Sequence, residues 1–192
     1  WIEGRGENMA ASQARGYHTH AEAAVARDGT LLGFNVRAIA DIGAYFVGTS
    51  AVPPFNSLHR TIGPYKCPVV HLEILGVVTN KPTTAPYRGA GGPEGAFVME
   101  RTMDLIAREL DLDPVEVRRI NLLSPDVFPY TTPTGYTYDS GNFEPALDRA
   151  LDLGDYSGLR RQQRNRSADQ PLMGVGVTTF MKATGGLGVM RD

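Results

Sequence analysis

Apolar and polar positions alternate in two runs near the start of the chain, "YHTHAEAAVA" (17–26) and "LLGFNVRAIADI" (31–42), with "RDGT" between them. A period of two puts successive side chains on opposite faces of a strand, and Asp28-Gly29 suits a two-residue turn with positive φ, so the pattern predicts a β-hairpin. Pairing Arg27 with Thr30 sets Val25 opposite Leu32, Ala23 opposite Phe34, Ala21 opposite Val36 and Tyr17 opposite Ala40 on one apolar face. The other face carries His18, His20, Glu22, Asn35 and Arg37, with His20 opposite Arg37. His18-x-His20 has the spacing of a metal pair, but a facing cation disfavours ligation.

Further on, "GTSAVPPFNSLHRTIGPY" (48–65) reads as a proline-bearing loop, and "CPVVHLEILGVVTN" (67–80) as a third strand, because β-branched residues dominate and no helical stripe appears. The period then changes. Ala96, Met99, Met103, Ile106 or Ala107, and Leu110 fall on one stripe, with Glu100, Asp104 and Arg108 off it, which predicts an amphipathic helix. "DPVEVRRINLL" opens a second helix, with Asp113 as cap, Pro114 in the first turn and Glu116 completing a box-like pattern. A turn-rich segment from Ser124, one or two polar-faced helices and the solvated connection "RRQQRNRSADQ" follow. The last stretch, "PLMGVGVTTFMKATGGLGVMRD", reads as a strand and a glycine-rich loop. Strands, then helices, then a strand predict an α+β fold. Its expected divisions are a mainly stranded part (1–86), a loop-and-helix part (87–165) and the start of a further strand-containing segment (166–192). Because the chain opens at Trp1 and ends on that glycine-rich stretch, it reads as an internal piece of something longer.

Composition narrows the functions. With 192 residues, 42% of them hydrophobic, the chain can build a core, and a net charge of −2 with interspersed signs provides no basic stripe for nucleic acid. "PVVHLEILGVV" is interrupted by His71 and Glu73 and falls short of the roughly 18 apolar residues of a membrane span. Cys67 stands alone, so this segment cannot itself build a disulfide, a zinc knuckle or an iron–sulfur cluster, and Cys67 reads as a small structural residue.

The candidate chemistry lies in "APYRGAGGPEG" (85–95), where glycines run into a helix start. Glycines there let backbone N–H groups and the helix dipole approach an anion without hindrance from Cβ atoms. Neither common phosphate motif fits, since Glu94 stands where the dinucleotide fingerprint needs glycine and no Gly-Lys-Ser/Thr follows. Glu94 in the first helical turn would also repel phosphate. From spacing alone, the stretch is a tight loop-to-helix cap.

Six stretches add a resemblance: "WIEGRGEN", "RGYHTH", "ADIGAY", "GVVTNKPTTAPYRGAGGPEGAFVMER", "LDLDPVEVRRINLL" and "FPYTTPTGYTYDSGNFEPALDRAL". Together they resemble the molybdenum-binding large subunit of the molybdenum hydroxylases, the family of xanthine dehydrogenase, aldehyde oxidase and aerobic carbon monoxide dehydrogenase. The resemblance implies a cytoplasmic oxidoreductase that hydroxylates a carbon centre with water-derived oxygen. It implies molybdenum–molybdopterin, expected in its cytosine dinucleotide form, with 2Fe-2S clusters and FAD on partner domains or subunits. The implied partners are the rest of the large subunit, FAD-binding and iron–sulfur subunits, and a small-molecule substrate.

By the same resemblance, Arg88, Gly89 and Gly91 are cofactor-binding and Ala90 lines the substrate pocket, with no metal ligation through side chains. The residue matching Arg88 presents its backbone to the metal's oxygen ligand, and glycines at 89, 91 and 92 would make room for it. The carbon-monoxide branch carries a copper-bearing cysteine where this chain has Gly89, which disfavours carbon monoxide. Xanthine-type enzymes carry a stacking phenylalanine where Ala90 stands, so purine loses its platform. An aldehyde or a small heteroaromatic compound remains as the expected substrate. Gly92 departs from the arginine of the nearest branch. No catalytic residue is assigned here, because the family's base glutamate lies outside the segment, and Glu94, Glu100 and Glu144 read as dipole or solubility partners. The competing expectation is a non-catalytic interaction or assembly module in which the loop is only a cap.

Overall fold

The structure is a computed structural model in which residues 11–167 and 169–182 are described. Three strands form one sheet in the order β1-β2-β3: β1 (Tyr17–Val25), β2 (Leu31–Gly43) and β3 (Val69–Val78). β1 and β2 are antiparallel with Tyr17 opposite Ala40, His20 opposite Arg37 and Ala23 opposite Phe34, as the alternation predicts. The turn differs from the expectation. Gly29 N–H donates to the Ala26 carbonyl at 3.0 Å, Ala26 N–H to the Thr30 carbonyl at 2.9 Å, and Gly29 sits at φ 93°. This is a three-residue loop, which needs one left-handed residue where a two-residue turn needs two. Val25 therefore pairs with Leu31, and the register recovers one residue later. Leu31 enters the core and Leu32 is exposed, the reverse of the expected pairing.

β3 runs parallel to β2, so a crossover must link them, and it contains α1 (Val52–Arg60) where the sequence suggested only a loop. Pro53 and Pro54 read as punctuation, yet they occupy the first turn, where a missing N–H costs nothing. α2 (Gly92–Glu109) and α3 (Pro114–Asn121) follow. A short ribbon of β4 (Tyr130–Thr131) and β5 (Thr137–Tyr138) leads to α4 (Glu144–Leu153) and α5 (Tyr156–Arg164). α5 takes up the first part of the stretch expected as a mobile connection. Asp113 caps α3 as predicted, accepting from Val115 N–H at 2.8 Å, while Glu116 turns to Arg119 at 3.5 Å. Residues 171–182 form no hydrogen-bonded strand, because no edge among the described residues pairs with them; the final glycine-rich stretch and "WIEGRGEN" lie outside the described residues.

The core sits between the sheet and α2–α3, with Phe34 and Val36 from β2, Met99, Met103 and Ile106 from α2, and Val117 from α3. Cys67 is fully buried beside them as a structural residue, and burial pushes its thiol up to about 11. α2 departs from its sequence pattern at Glu100, which is buried. Its carboxylate accepts from Arg118 Nε at 2.9 Å, Tyr65 Oη at 2.6 Å and Thr179 N–H at 3.0 Å. Arg118 is fully buried and also donates to Asp104 Oδ1 at 3.0 Å and the Pro114 carbonyl at 2.9 Å. Burial alone would lower the Arg118 guanidinium, but the Glu100 charge holds it above its ordinary value.

Asn121 ties the hairpin turn to α3: its Oδ1 accepts from Leu31 N–H at 2.8 Å, and its Nδ2 donates to the carbonyls of Gly29 at 2.9 Å and Val117 at 2.8 Å. Asn121→Leu fills similar space but strands the Leu31 N–H and the Gly29 carbonyl in the interior. The expected loss is about 2–5 kcal/mol, read as a lower urea midpoint with an unchanged slope. A loss under about 0.5 kcal/mol would show that water replaces the amide.

Candidate functional site

The stretch leading to the glycine loop is fixed by the end of β2. Ala44 N–H donates to the Lys81 carbonyl at 2.9 Å, Thr84 N–H to the Ile42 carbonyl at 3.1 Å, and Thr79 N–H to the Gly43 carbonyl at 3.1 Å. Asp41 accepts from Gly43 N–H at 2.9 Å and Thr79 Oγ1 at 2.5 Å and pairs with Lys81 at 2.5 Å. The Lys81 and Thr79 contacts hold its carboxyl below the usual range. The "ADIG" stretch thus works as a clamp on residues 79–84.

The loop contains three successive left-handed residues, Gly89 (φ 90°), Ala90 (φ 41°) and Gly91 (φ 91°). Ala90 N–H donates to the Tyr87 carbonyl at 2.6 Å and Gly92 N–H to the Gly89 carbonyl at 2.9 Å. An alanine in this conformation costs of order 1–3 kcal/mol, and the surroundings must impose it. They do so through Asn56 of α1, whose Nδ2 donates to the Ala90 carbonyl at 2.8 Å.

The glycines have reasons that spacing did not reveal. A Cβ at Gly91 would lie 2.0 Å from the Pro53 carbonyl oxygen, and one at Gly95 would lie 2.8 Å from the Ser57 carbonyl oxygen, so α1 and α2 meet backbone to backbone. A Cβ at Gly89 would lie 2.7 Å from Pro93 Cδ. At Gly92 the nearest atom is Arg60 Nη1 at 3.6 Å, an ordinary contact. Gly89 and Gly91 are therefore demanded by the chain itself, whatever approaches from outside.

What the loop offers outward is main chain. Arg88 is exposed and Gly89 half-buried, and among the described residues no acceptor pairs with either N–H. Arg15 closes the back of the loop, donating to the Arg88 carbonyl at 2.6 Å, pairing with Glu94 at 3.3 Å and lying 5.4 Å from the centre of the Tyr87 ring. That pair neutralises Glu94, so the carboxylate no longer opposes an anion at the start of α2. A cavity of about 250 Å³ adjoins the loop, lined by Gly89, Gly92, Ala96 and Phe180, with Arg60 and Lys182 as its charged members. Arg88 and Gly91 do not line it, nor does Ala90. Glu94, Glu100 and Glu144 do not line it either, and the last pairs with Arg119 at 3.0 Å.

Sequence reasoning missed Arg15, Asn56 and Arg60. Arg15 sits just ahead of the "GYHTH" stretch, but its target lies 73 residues away. The other two belong to α1, in a stretch whose prolines read as a loop in the sequence.

This combination of a small mixed sheet, a crossover helix and a left-handed loop at a helix start defines an α+β domain that turns the main chain of one loop outward. The sequence profile of the molybdopterin cofactor-binding domain matches residues 1–122, and the chain belongs to that family. It is similar to the carbon monoxide dehydrogenase large chain of Hydrogenophaga pseudoflava, at 38% identity over 96% of this chain and 24% of that one. The nicotine 6-hydroxylase large subunit of Paenarthrobacter nicotinovorans is 34% identical over 96% of this chain and 23% of its own length. Among solved structures, quinoline 2-oxidoreductase from Pseudomonas putida 86 superposes with a TM-score of 0.79 at 32% identity, covering 85% of this chain and 21% of that one. The chain thus spans about a quarter of the length of the curated relatives it matches. Its family is one of molybdopterin oxidoreductases, and no helix among the described residues is long and apolar enough to cross a membrane.

Proposed function

We propose that Tyr87–Gly92 forms one wall of a molybdenum–molybdopterin site in a hydroxylase acting on an aldehyde or a small heteroaromatic compound. The observation that carries this is the pair of unpaired amides of Arg88, which is exposed, and Gly89, which is half-buried, in a loop held rigid from behind. The residues fit such a group: main-chain donors lie beside a helix start with its nearest carboxylate neutralised by Arg15. When bound, molybdenum–molybdopterin supplies the two-electron oxidation of a carbon centre with oxygen drawn from water. The chain's own share is to aim backbone N–H groups without reorganisation, since Asn56, Arg15 and the Pro53 carbonyl already fix the loop.

Ala90 brings no aromatic surface on which a purine could stack. The cytosine dinucleotide form of the cofactor, 2Fe-2S clusters and FAD on partner subunits, and a base on the remainder of the large subunit complete the proposal. Its test is the full-length subunit purified with its partners, assayed for molybdenum and for acceptor reduction by aldehydes and N-heteroaromatics. Absence of stoichiometric molybdenum would overturn it.

Carbon monoxide is the second reading, and the 38% identity to a carbon monoxide dehydrogenase large chain weighs against excluding it outright. The argument from this chain runs the other way, because Gly89 offers no thiolate for a copper ion. Carbon monoxide is expected to reduce an artificial acceptor far more slowly than an aldehyde does, with no response to added copper. Equal rates would make carbon monoxide the substrate.

A further inference from the structure

Arg60, at the end of α1, carries a positive charge that nothing in the described chain answers. Its Nε is buried and makes no hydrogen bond, and no carboxylate among the described residues lies within ion-pair distance of its guanidinium. Its Nη1 reaches the start of α2, 3.6 Å from where a Cβ of Gly92 would lie. Lys182, on the segment anchored through Thr179, is likewise without a partner there, and the two cations line the 250 Å³ cavity together. Every other wall of that cavity is apolar side chain or glycine, including Phe180 and Ala96. Arg60 and Lys182 also line a neighbouring hollow of about 420 Å³. Asp139 lines this hollow too, but pairs with neither cation.

A guanidinium with no carboxylate in reach gains charge-assisted hydrogen bonds when a ligand's acid group meets its terminal nitrogens, and two cations over an apolar floor select a molecule of matching polarity. We infer that this cavity binds a small organic carboxylate, with its acid group between Arg60 and Lys182 and its apolar body against Phe180 and Ala96 beside Gly89. The inference rests on the proposed function and narrows it, because the substrate becomes an aldehyde or heteroaromatic that carries a carboxylate.

The test uses the full-length molybdenum-loaded complex with benzoate, its neutral analogue benzamide, and inorganic phosphate as probes. Benzoate is expected to bind about 10- to 100-fold more tightly than benzamide, to compete with substrate, and to lose that advantage in Arg60→Gln and more weakly in Lys182→Gln. Molybdenum content should stay near wild type in Arg60→Gln, so that the lost benzoate advantage reports on the cavity and not on folding. Equal binding of benzoate and benzamide would overturn the carboxylate site while leaving the loop's role untouched. Phosphate binding as tightly as benzoate would also overturn it, since the site would then ignore the apolar body. Benzoate binding that depends on Arg60 without slowing turnover would separate the site from the reacting centre, overturning the substrate assignment while leaving the proposed molybdenum site untouched.

Discussion

Arg118→Met is expected to destabilise the chain by about 3–5 kcal/mol, because it leaves the buried Glu100 carboxylate without its countercharge. For a chain of this length the midpoint of thermal unfolding should fall by roughly 10 °C. Tyr65 and Thr179 still donate to Glu100, so neutral hydrogen bonds persist and only the charge is orphaned. Burial, reinforced by Glu100, pushes the Tyr65 hydroxyl far above its ordinary range, so it stays a donor at any working pH. Adding Glu100→Gln to Arg118→Met removes the orphan charge and should restore a large part of the loss, which a double-mutant cycle measures directly. If the double variant were no more stable than Arg118→Met, the network would be packing and not charge pairing.

Gly91→Ala should be the most damaging single change in the loop. Its Cβ would sit 2.0 Å from the Pro53 carbonyl oxygen, in a backbone conformation unfavourable to L side chains, so α1 and α2 must separate. Strain and overpacking together come to about 2–6 kcal/mol, and the full-length subunit should lose both molybdenum and soluble yield. Gly92→Ala is the control: its Cβ meets nothing closer than 3.6 Å, so stability should change by less than about 1 kcal/mol. Normal molybdenum in Gly91→Ala would show that the loop's conformation is not what the cofactor needs.

The hairpin was legible because a one-sided core enforces period two along β1 and β2, and α2 because its stripe recurs along most of an 18-residue helix. The turn was misjudged by one residue, since Asp-Gly serves two-residue and three-residue loops alike. α1 was missed because a nine-residue helix opening with two prolines has too little periodic signal to outweigh them. Glu100 was taken for a surface group because its partners, Arg118, Tyr65 and Thr179, lie on three other parts of the chain. At the loop, sequence showed where glycine was needed but not why: the contacts of Gly91 and Gly95 belong to a helix that the pattern did not reveal.

The crossover between β2 and β3 also bears on how this domain can change length over evolution. Insertions are ordinarily cheap in surface connections, since closure entropy grows only slowly with loop length. The chain just after Arg164 fits that rule, whereas the β1–β2 turn is held to α3 by Asn121. The connection from Gly43 to Val52 does not fit it either, because it sets the height of α1, and α1 carries Pro53 and Asn56, against which the loop is seated. One added residue there would shift the seat by about 3 Å while leaving sheet and core intact. Homologues should therefore vary freely in length just after Arg164 and hardly at all in this short approach.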